Sequence, residues 1–243
     1  AKELSKMVLL DNNLAPIVAA VNEGRTFYDN IRKVVSWTLP TNGGETLAVV
    51  LAILAGFTLP MTATQILWIN LVLAVTLGLV LAFEPPEPGV MSRPPRRADA
   101  GLLSPFLLWR VVLVSTLLAI VALGIFFWTI EHGRDVATAR TMVVNMLIVA
   151  EIFYLFNVRY LHMRSLTWRG ALGTPVVLLA IGVVVIAQLA FTYWPPMQVV
   201  FDTRPLSLAD GALIVAIGVA LMLLLEGEKL LMRRLGWFDE LRA

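Results

Sequence analysis

Long apolar runs, each of about 20 residues, limit what this chain can fold into more than any other feature of its sequence. A run of this length matches the hydrocarbon thickness of a bilayer when it is helical, and lipid forces the backbone to satisfy its own hydrogen bonds. The runs cover approximately residues 34–58, 62–82, 106–130, 141–161, 175–193 and 208–225. The pattern predicts an all-α membrane protein built as a six-helix transmembrane bundle.

The composition excludes an ordinary soluble domain. Hydrophobic residues make up 58% of the chain, charged residues make up 15%, and the mean hydropathy is +0.81. The net charge of +2 is too small to indicate a nucleic-acid partner. Cysteine is absent, which excludes disulfides, thiolate metal ligands and cysteine nucleophiles. Because the chain is so apolar, membrane lipid is the first partner that we expect.

The first 33 residues are polar and mixed, and we expect no signal peptide in them. Within them Met7–Leu10 is typical of a short buried strand, and Ala15–Asn22 is typical of a short helix. Gly24–Lys33 then leads into the first apolar run, and we predict a helix that continues into the membrane. A short α/β segment should therefore precede the bundle. The chain begins on Ala1, which we interpret as the start of a fragment or of a trimmed product.

Positive charges cluster on alternate sides of the predicted spans. Those on one side are Arg25, Arg32, Lys33, Arg93, Arg96, Arg97, Arg159, Arg164, Arg169, Lys229, Arg233 and Arg234. The opposite side carries Arg134, Arg140 and Arg204. The positive-inside rule then predicts that both chain ends are cytoplasmic, as an even number of spans requires. We expect residues 227–243 to form a cytoplasmic tail, and the compact loops favour a bacterial plasma membrane.

The segment Pro40–Glu45 breaks the first apolar run in both its side chains and its backbone. An ionised carboxylate near the bilayer centre costs roughly 2.5 to 3.5 kcal/mol on insertion scales, so it normally faces protein and marks an ion path. Pro40 removes a backbone donor, and Gly43 and Gly44 weaken the helix. We therefore expect a loosened helix whose free carbonyls are available to a cation. The glycines have a second interpretation, which is close packing of a neighbouring helix.

Further polar groups lie at a depth similar to that of Glu45. Asn42 is three residues away and shares its helix face, Asn70 lies near the middle of the second span, and Glu151 lies near the middle of the fourth. Carboxylates and amides supply the oxygen ligands that alkali and alkaline-earth cations prefer, and a buried carboxyl can also exchange a proton. These four residues are our candidate metal ligands. The alternative is that the asparagines only hold helices together and that Glu151 is structural.

Ordered motifs give the chain a family resemblance. They are Met7-Val8-Leu9-Leu10-Asp11-Asn12-Asn13, Tyr28-Asp29-Asn30-Ile31-Arg32-Lys33, Thr41-Asn42-Gly43-Gly44-Glu45, Gln65-Ile66-Leu67-Trp68-Ile69-Asn70-Leu71-Val72 and Met91-Ser92-Arg93-Pro94-Pro95-Arg96. Together they resemble the C-terminal part of a P-type cation-transporting ATPase of the calcium and sodium/potassium pump branch. Nearly the whole chain takes part in the resemblance.

The resemblance implies a division of the chain and a function. Residues 1–33 are similar to the end of the family's phosphorylation domain and its stalk, and residues 34–226 are similar to transmembrane helices five to ten. The four candidate ligands match positions of ion ligands in the calcium pumps. The resemblance thus implies the membrane transport half of an ATP-driven cation pump, with an inorganic cation as its cargo.

One departure from the family pattern affects the implied site. Where the calcium pumps continue the sixth helix with Thr and Asp after Asn-Leu-Val, this chain has Leu73 and Ala74. A central carboxylate is therefore missing. Because each calcium ion takes roughly six to eight oxygens, we do not expect a pair of calcium sites. A single site for a monovalent cation, a proton or one divalent ion fits the sequence better.

The resemblance places the chemistry of ATP outside these residues. The phosphorylated aspartate, the nucleotide-binding residues, the actuator domain and the fourth helix would belong to a missing N-terminal part, which would also bind ATP and Mg²⁺. We therefore expect no catalytic residue and no cofactor site here, and enzyme activity would depend on that part. Two alternatives stay open. One is a stand-alone or degenerate six-span protein with a channel-like or regulatory role, and the other is a structural helical domain with no bound ion.

Overall fold

The computed structural model describes residues 13, 15–87, 89–95, 101, 103–159 and 175–237. The helices are α1 (Ala15–Leu54), α2 (Ala63–Ala82), α3 (Pro105–Glu131), α4 (Val136–Arg159), α5 (Pro175–Tyr193), α6 (Pro195–Phe201) and α7 (Leu208–Leu235). The described residues contain no strand, which agrees with the predicted all-α bundle. The strand predicted at Met7–Leu10 lies outside the described residues.

Five helices are long and apolar enough to cross a membrane, namely α2, α3, α4, α5 and α7. The remaining long helix, α1, packs along α3, and its apolar sequence contains the polar segment Pro40–Glu45. The predicted helix at Ala15–Asn22 is the first part of α1, which continues without a break toward the bundle. The short helix α6 starts with prolines in its first turn, where proline is compatible with a helix, and it was not predicted.

The helix α4 is the central helix of the bundle. Within its apolar window 72% of the residues are buried, compared with 28% to 39% in the other candidate spans. It packs against α1, α3, α5 and α7, and Met142, Leu147 and Leu155 on it are fully buried. A helix enclosed by protein can carry a polar side chain at mid-membrane without exposing it to lipid.

The helix α1 runs unbroken for 40 residues, through the segment that we expected to loosen. The expectation of free carbonyls is wrong, and the neighbouring helices explain why. Pro40 has no N–H for the Ser36 carbonyl one turn earlier, and the Tyr154 hydroxyl of α4 donates to that carbonyl at 2.9 Å. The Ser115 hydroxyl of α3 donates to the Pro40 carbonyl, also at 2.9 Å. Side chains from α3 and α4 thus satisfy the backbone around the proline.

The glycine pair of α1 allows α3 to approach closely. A Cβ atom placed on Gly44 would lie 2.6 Å from the Cβ of Leu118, and one placed on Gly43 would overlap the Ser115 hydroxyl. At both positions the added Cβ would lie closer to α3 than an ordinary van der Waals contact allows. The second interpretation of Gly43 and Gly44, close helix packing, therefore agrees with the structure.

The helix α2 begins at a capping box and changes its winding beyond its middle. The Thr62 hydroxyl accepts from the Gln65 N–H at 3.3 Å, and the Gln65 side chain accepts from the Thr62 N–H at 3.0 Å. Residues Ala74–Gly78 then form a π-helical segment. Such segments are frequent at functional sites. This one starts one helical turn beyond Asn70.

Buried charges join α1, the segment after α2 and the last turn of α4. Lys33 Nζ lies 3.0 Å from Glu87 and 3.8 Å from Glu84, and Arg159 Nε lies 2.5 Å from Glu84. All four side chains are buried, and we call them the Glu84 cluster. Arg159 and Lys33 were both predicted among the cations that flank the bundle, and the side of the membrane on which they lie stays a prediction. The guanidinium of Arg159 can be buried because the Glu84 carboxylate compensates its charge.

The helix α7 continues to Leu235, beyond the predicted end of the last apolar run. Its extension carries charged side chains that contact α3 and α4. Glu228 lies 2.7 Å from Arg110 of α3, and Glu226 accepts from the Asn157 amide of α4 at 2.8 Å. The Arg110 guanidinium also donates to Asn157. These contacts fix the end of α7 against the bundle.

Candidate cation site

The four residues predicted as ligands line one small cavity between α1, α2 and α4. Its volume of about 50 Å³ is enough for a small cation or a few water molecules. The lining residues are Trp37, Thr38, Thr41, Asn42, Glu45, Ile69, Asn70, Leu73, Ala74 and Glu151. The structure therefore brings all four predicted residues together from three helices.

The helix α1 supplies Asn42 and Glu45 to the cavity from one face, as their spacing predicts. Glu45 is buried, at 4% exposure, whereas Asn42 is exposed. Both residues also line a second cavity of about 360 Å³ that they share with Asn70, Thr46 and Ile66. The site is thus enclosed on the side of α4 and accessible on the side of Asn42.

The helix α2 supplies Asn70, whose amide orients the Glu45 carboxylate. Asn70 Nδ2 donates to Glu45 Oε2 at 2.8 Å and to the Ile66 carbonyl at 3.0 Å. Since an ionised carboxylate and a carbonyl only accept, these contacts assign the nitrogen of the amide. The Asn70 side-chain oxygen is then left as a neutral ligand for a cation.

The helix α4 supplies Glu151, which is 2% exposed. The Thr41 hydroxyl of α1 lines the same cavity and donates to the Thr38 carbonyl at 3.2 Å, and Glu151 Oε1 has no hydrogen-bond partner in the described part of the chain. Trp37 Nε1 of α1 donates to the Glu151 backbone carbonyl at 3.2 Å, which holds the two helices in register. An unpaired carboxylate oxygen at this depth is a strong candidate for a ligand.

The electrostatics of the cavity favour a cation. Glu45 and Glu151 both line it, and no lysine or arginine is among its lining residues. Like charges in a medium of low dielectric repel each other strongly, so a bound cation or a proton would stabilise the pair. The described residues hold no group of three or more His, Cys, Asp or Glu side chains arranged for a metal. The arrangement therefore relies on amides and hydroxyls beside its carboxylates.

Thr41 and Trp37 also line the cavity, and neither was among the predicted ligands. Thr41 lies four residues before Glu45, one helical turn away, and that spacing was the available signal. Trp37 could not be recognised because its role depends on the approach of α4. Leu73 and Ala74, where the sequence departs from the family pattern, line the cavity with carbon and supply no side-chain oxygen.

Comparison with known proteins gives one family for the bundle. Residues 58–231 match the family described as cation transporting ATPase, C-terminus. The chain is 44% identical over 234 residues to a probable cation-transporting ATPase F of Mycobacterium tuberculosis, which covers 96% of this chain and 26% of that protein. The cation-transporting ATPase pma1 of Synechocystis sp. is 36% identical over 218 residues, with 88% and 24% covered.

A calcium-transporting ATPase of Bacillus subtilis is 32% identical over 231 residues, with 95% of this chain and 26% of that protein covered. The chain therefore spans 24% to 26% of the length of these relatives. The family match extends from the segment before α2 almost to the end of α7, and it overlaps every candidate span. Because the family match covers more than half of the chain, the chain belongs to the P-type cation-transporting ATPases, as a C-terminal membrane part of that family.

Proposed function

We propose that this chain is the membrane transport half of an ATP-driven cation pump and that it carries part of the intramembrane cation site. Asn42, Glu45, Asn70 and Glu151 are the ligands that we assign to the cation. One observation carries the proposal: these side chains come from three helices and line one cavity. The relatives named cation-transporting ATPases support the pumping role.

The ligands divide into charged and neutral groups. Glu45 and Glu151 supply the negative charge, and the amide oxygens of Asn42 and Asn70 supply neutral ligands. The hydrogen bond from Asn70 to Glu45 holds one carboxylate in place before the cation arrives. Preorganisation of this kind lowers the free-energy cost of assembling the site.

A single cation fits this cavity better than two. Leu73 and Ala74 offer no side-chain oxygen, and the volume of about 50 Å³ leaves little room for a second ion with its own ligands. We assign a monovalent cation, a proton or one divalent ion to the site. The helix that completes it belongs to the part of the pump outside this chain.

The remaining parts of the pump follow from the same proposal. We place ATP and Mg²⁺ in cytoplasmic domains that precede this chain in the complete protein. Both ends of the chain lie on the cytoplasmic side of a bacterial plasma membrane, as the distribution of arginine and lysine predicts. Lipid surrounds the bundle, and the transported cation is its cargo.

The structure offers a route by which α1 transmits motion to α2. Arg25 Nη1 donates to the carbonyls of Val90 and Arg93, each at 2.8 Å, and Asn30 Nδ2 donates to the Glu84 carbonyl at 2.8 Å. The segment after α2 is thereby attached to the first half of α1. A displacement of α1 driven by phosphorylation would move α2, and with it Asn70, relative to Glu45.

Substitution of Glu45 in the complete pump tests the proposal. We expect Glu45→Gln and Glu45→Ala to abolish or strongly weaken cation-dependent phosphorylation by ATP, because the principal carboxylate on α1 is lost. Glu131→Gln is the matched control, since Glu131 is exposed at the end of α3. Unchanged cation dependence in both Glu45 variants would remove Glu45 from the site.

A further inference from the structure

A separate cavity of about 270 Å³ lies between α4, α5 and α7. The helix α5 packs mainly on α2 and α6, whereas α7 packs on α4, so a cleft separates α5 from α7. Val185, Leu189 and Val215 line this cleft and are 44%, 53% and 48% exposed. The cavity therefore opens toward the side of the bundle that faces lipid.

The polar groups of this cavity are few, and most of them are paired with each other. Asn145 Nδ2 donates to the Thr192 hydroxyl at 3.1 Å, and that hydroxyl lies 3.2 Å from Asn145 Oδ1. The rest of the lining is mainly aliphatic. The cavity thus resembles the interior of a bilayer more than an aqueous pore.

The exception is Gln188, whose amide donor is buried and unpaired. Its side-chain oxygen accepts from Trp68 Nε1 at 3.3 Å, and since an indole only donates, this contact fixes which end of the amide is the nitrogen. Gln188 is 7% exposed, and its Nε2 has no hydrogen-bond partner within the part of the chain that the structure describes. An occupant of the cavity should therefore bring a hydrogen-bond acceptor.

Water is a poor occupant for this volume. At liquid density 270 Å³ corresponds to about nine water molecules, and each buried water needs roughly two to four polar partners. One unpaired amide cannot provide them. An apolar chain with a single acceptor matches both the lining and the donor.

We propose that this cavity binds an acyl chain of a membrane phospholipid, whose ester carbonyl accepts a hydrogen bond from Gln188 Nε2. The depth agrees with such a ligand. Gln188 lies five residues before Tyr193, about 7.5 Å along the helix, and Tyr193 and Trp194 end α5 as interfacial aromatic residues do. Ester groups of lipids lie close below that level. This site is independent of the cation site.

Photolabelling of the complete pump tests the site. The probe is a diester phosphatidylcholine with a diazirine on one acyl chain, incorporated into vesicles that contain the pump. We expect label on Val149 and Ile152, which line the cavity and are half-buried, so that a chain inside the cavity can reach them. Label confined to outward-facing side chains such as Ile186, which is 69% exposed, would overturn the proposal.

A cavity-filling variant provides the matched comparison. Gly211 lines the cavity, and a Cβ on it meets nothing within 4 Å, so Gly211→Leu should fill the space without backbone strain. Gly124→Leu introduces the same side chain at an open position on α3. Label on Val149 and Ile152 should fall about tenfold in Gly211→Leu and stay unchanged in Gly124→Leu. Equal labelling of the two variants would contradict the proposal.

The ester carbonyl is tested with a diether phosphatidylcholine of the same chains. This lipid has no carbonyl, so it should compete with the diester probe about 2-fold to 10-fold less well in the wild-type pump. In Gln188→Leu the two lipids should compete equally. Equal competition in the wild type would exclude the hydrogen bond to Gln188. A tight complex with another protein that blocks all labelling would show that a partner, and not lipid, occupies the cleft.

Discussion

At the scale of single residues, the cation site depends on carboxylates that no lysine or arginine in the cavity lining neutralises. Glu45 is oriented by Asn70, and Glu151 keeps one oxygen without a partner in the described residues. A buried and unpaired charge is expensive, so it persists where a ligand or a proton compensates it. Cation binding, which we propose for this site, would make the arrangement favourable.

The close approach of α1 and α3 gives a prediction for one glycine. Gly44→Ala should destabilise the bundle by about 1 to 3 kcal/mol, because the added Cβ would lie 2.6 Å from Leu118 Cβ. Gly24→Ala on the same helix meets nothing within 4 Å and should instead stabilise it by about 0.5 to 1 kcal/mol. The thermal midpoints of the two variants of the complete pump provide the measurement. A lower midpoint for Gly24→Ala than for Gly44→Ala would contradict this account of the helix contact.

Single residues also show how far the sequence could lead. Glu45, Asn70 and Glu151 could be selected because a polar group in an apolar run is unusual whatever surrounds it. The spacing of Thr41 from Glu45 was a weak signal and Trp37 gave none, because a threonine or a tryptophan in a span has many roles and only the packing of α4 decides which applies. The same reason explains Gly43 and Gly44, whose two interpretations only the position of α3 could separate.

At the scale of elements, α1 is kept continuous by its neighbours. Proline and glycine in one helix predict a break from local propensity, yet the Tyr154 hydroxyl replaces the backbone donor that the Ser36 carbonyl lacks, and the Ser115 hydroxyl donates to the Pro40 carbonyl. The change from α-helical to π-helical winding occurs on α2, at Ala74–Gly78, where no proline or glycine pair indicates it. The existence of the helices could thus be predicted from the sequence, whereas the position of the π-helical segment could not.

A double-mutant cycle tests the role of Tyr154. Tyr154→Phe should cost about 1 to 3 kcal/mol, because it leaves the Ser36 carbonyl buried and unpaired. Pro40→Ala restores a backbone N–H to that carbonyl, so the cost of Tyr154→Phe should be smaller in this background. Thermal midpoints of the four proteins measure the coupling. Strict additivity would mean that Tyr154 does not replace the donor that Pro40 lacks.

At the scale of the whole molecule, α4 connects features at several depths of the bundle. Arg159 at one end joins the Glu84 cluster, Glu151 reaches the cation site, and Asn145 lines the cavity near the other end. The Glu84 cluster links this central helix to α1 and to the segment after α2. The bundle could be predicted from the sequence, but the burial of Arg159 against Glu84 could not, because a charge in a sequence does not reveal its partner.

Removal of one cation from the Glu84 cluster should destabilise the whole bundle. Lys33→Met removes the cation 3.0 Å from Glu87, but Arg93 stays 3.1 Å from Glu87 and Arg159 stays 2.5 Å from Glu84. The cost should therefore lie below the roughly 3 to 5 kcal/mol of a buried charge that loses every partner, and above about 1 kcal/mol. Asp202→Asn removes an exposed pair with Arg204 at 3.2 Å and should cost less than about 1 kcal/mol. Asparagine also tolerates the left-handed backbone of Asp202, with φ of 50°. Similar thermal midpoints for both variants would contradict a structural role for the cluster.

We propose that Glu45 and Glu151 bind the transported cation together. The most direct measurement treats the complete pump with a hydrophobic carbodiimide, which modifies carboxyl groups in membranes, and maps the modified residues by mass spectrometry. The transported cation should protect Glu45 and Glu151 in parallel, over the concentration range that stimulates phosphorylation, and leave exposed Glu131 unprotected. Stimulation of phosphorylation by the cation, with both carboxyls modified as rapidly as in its absence, would contradict the claim.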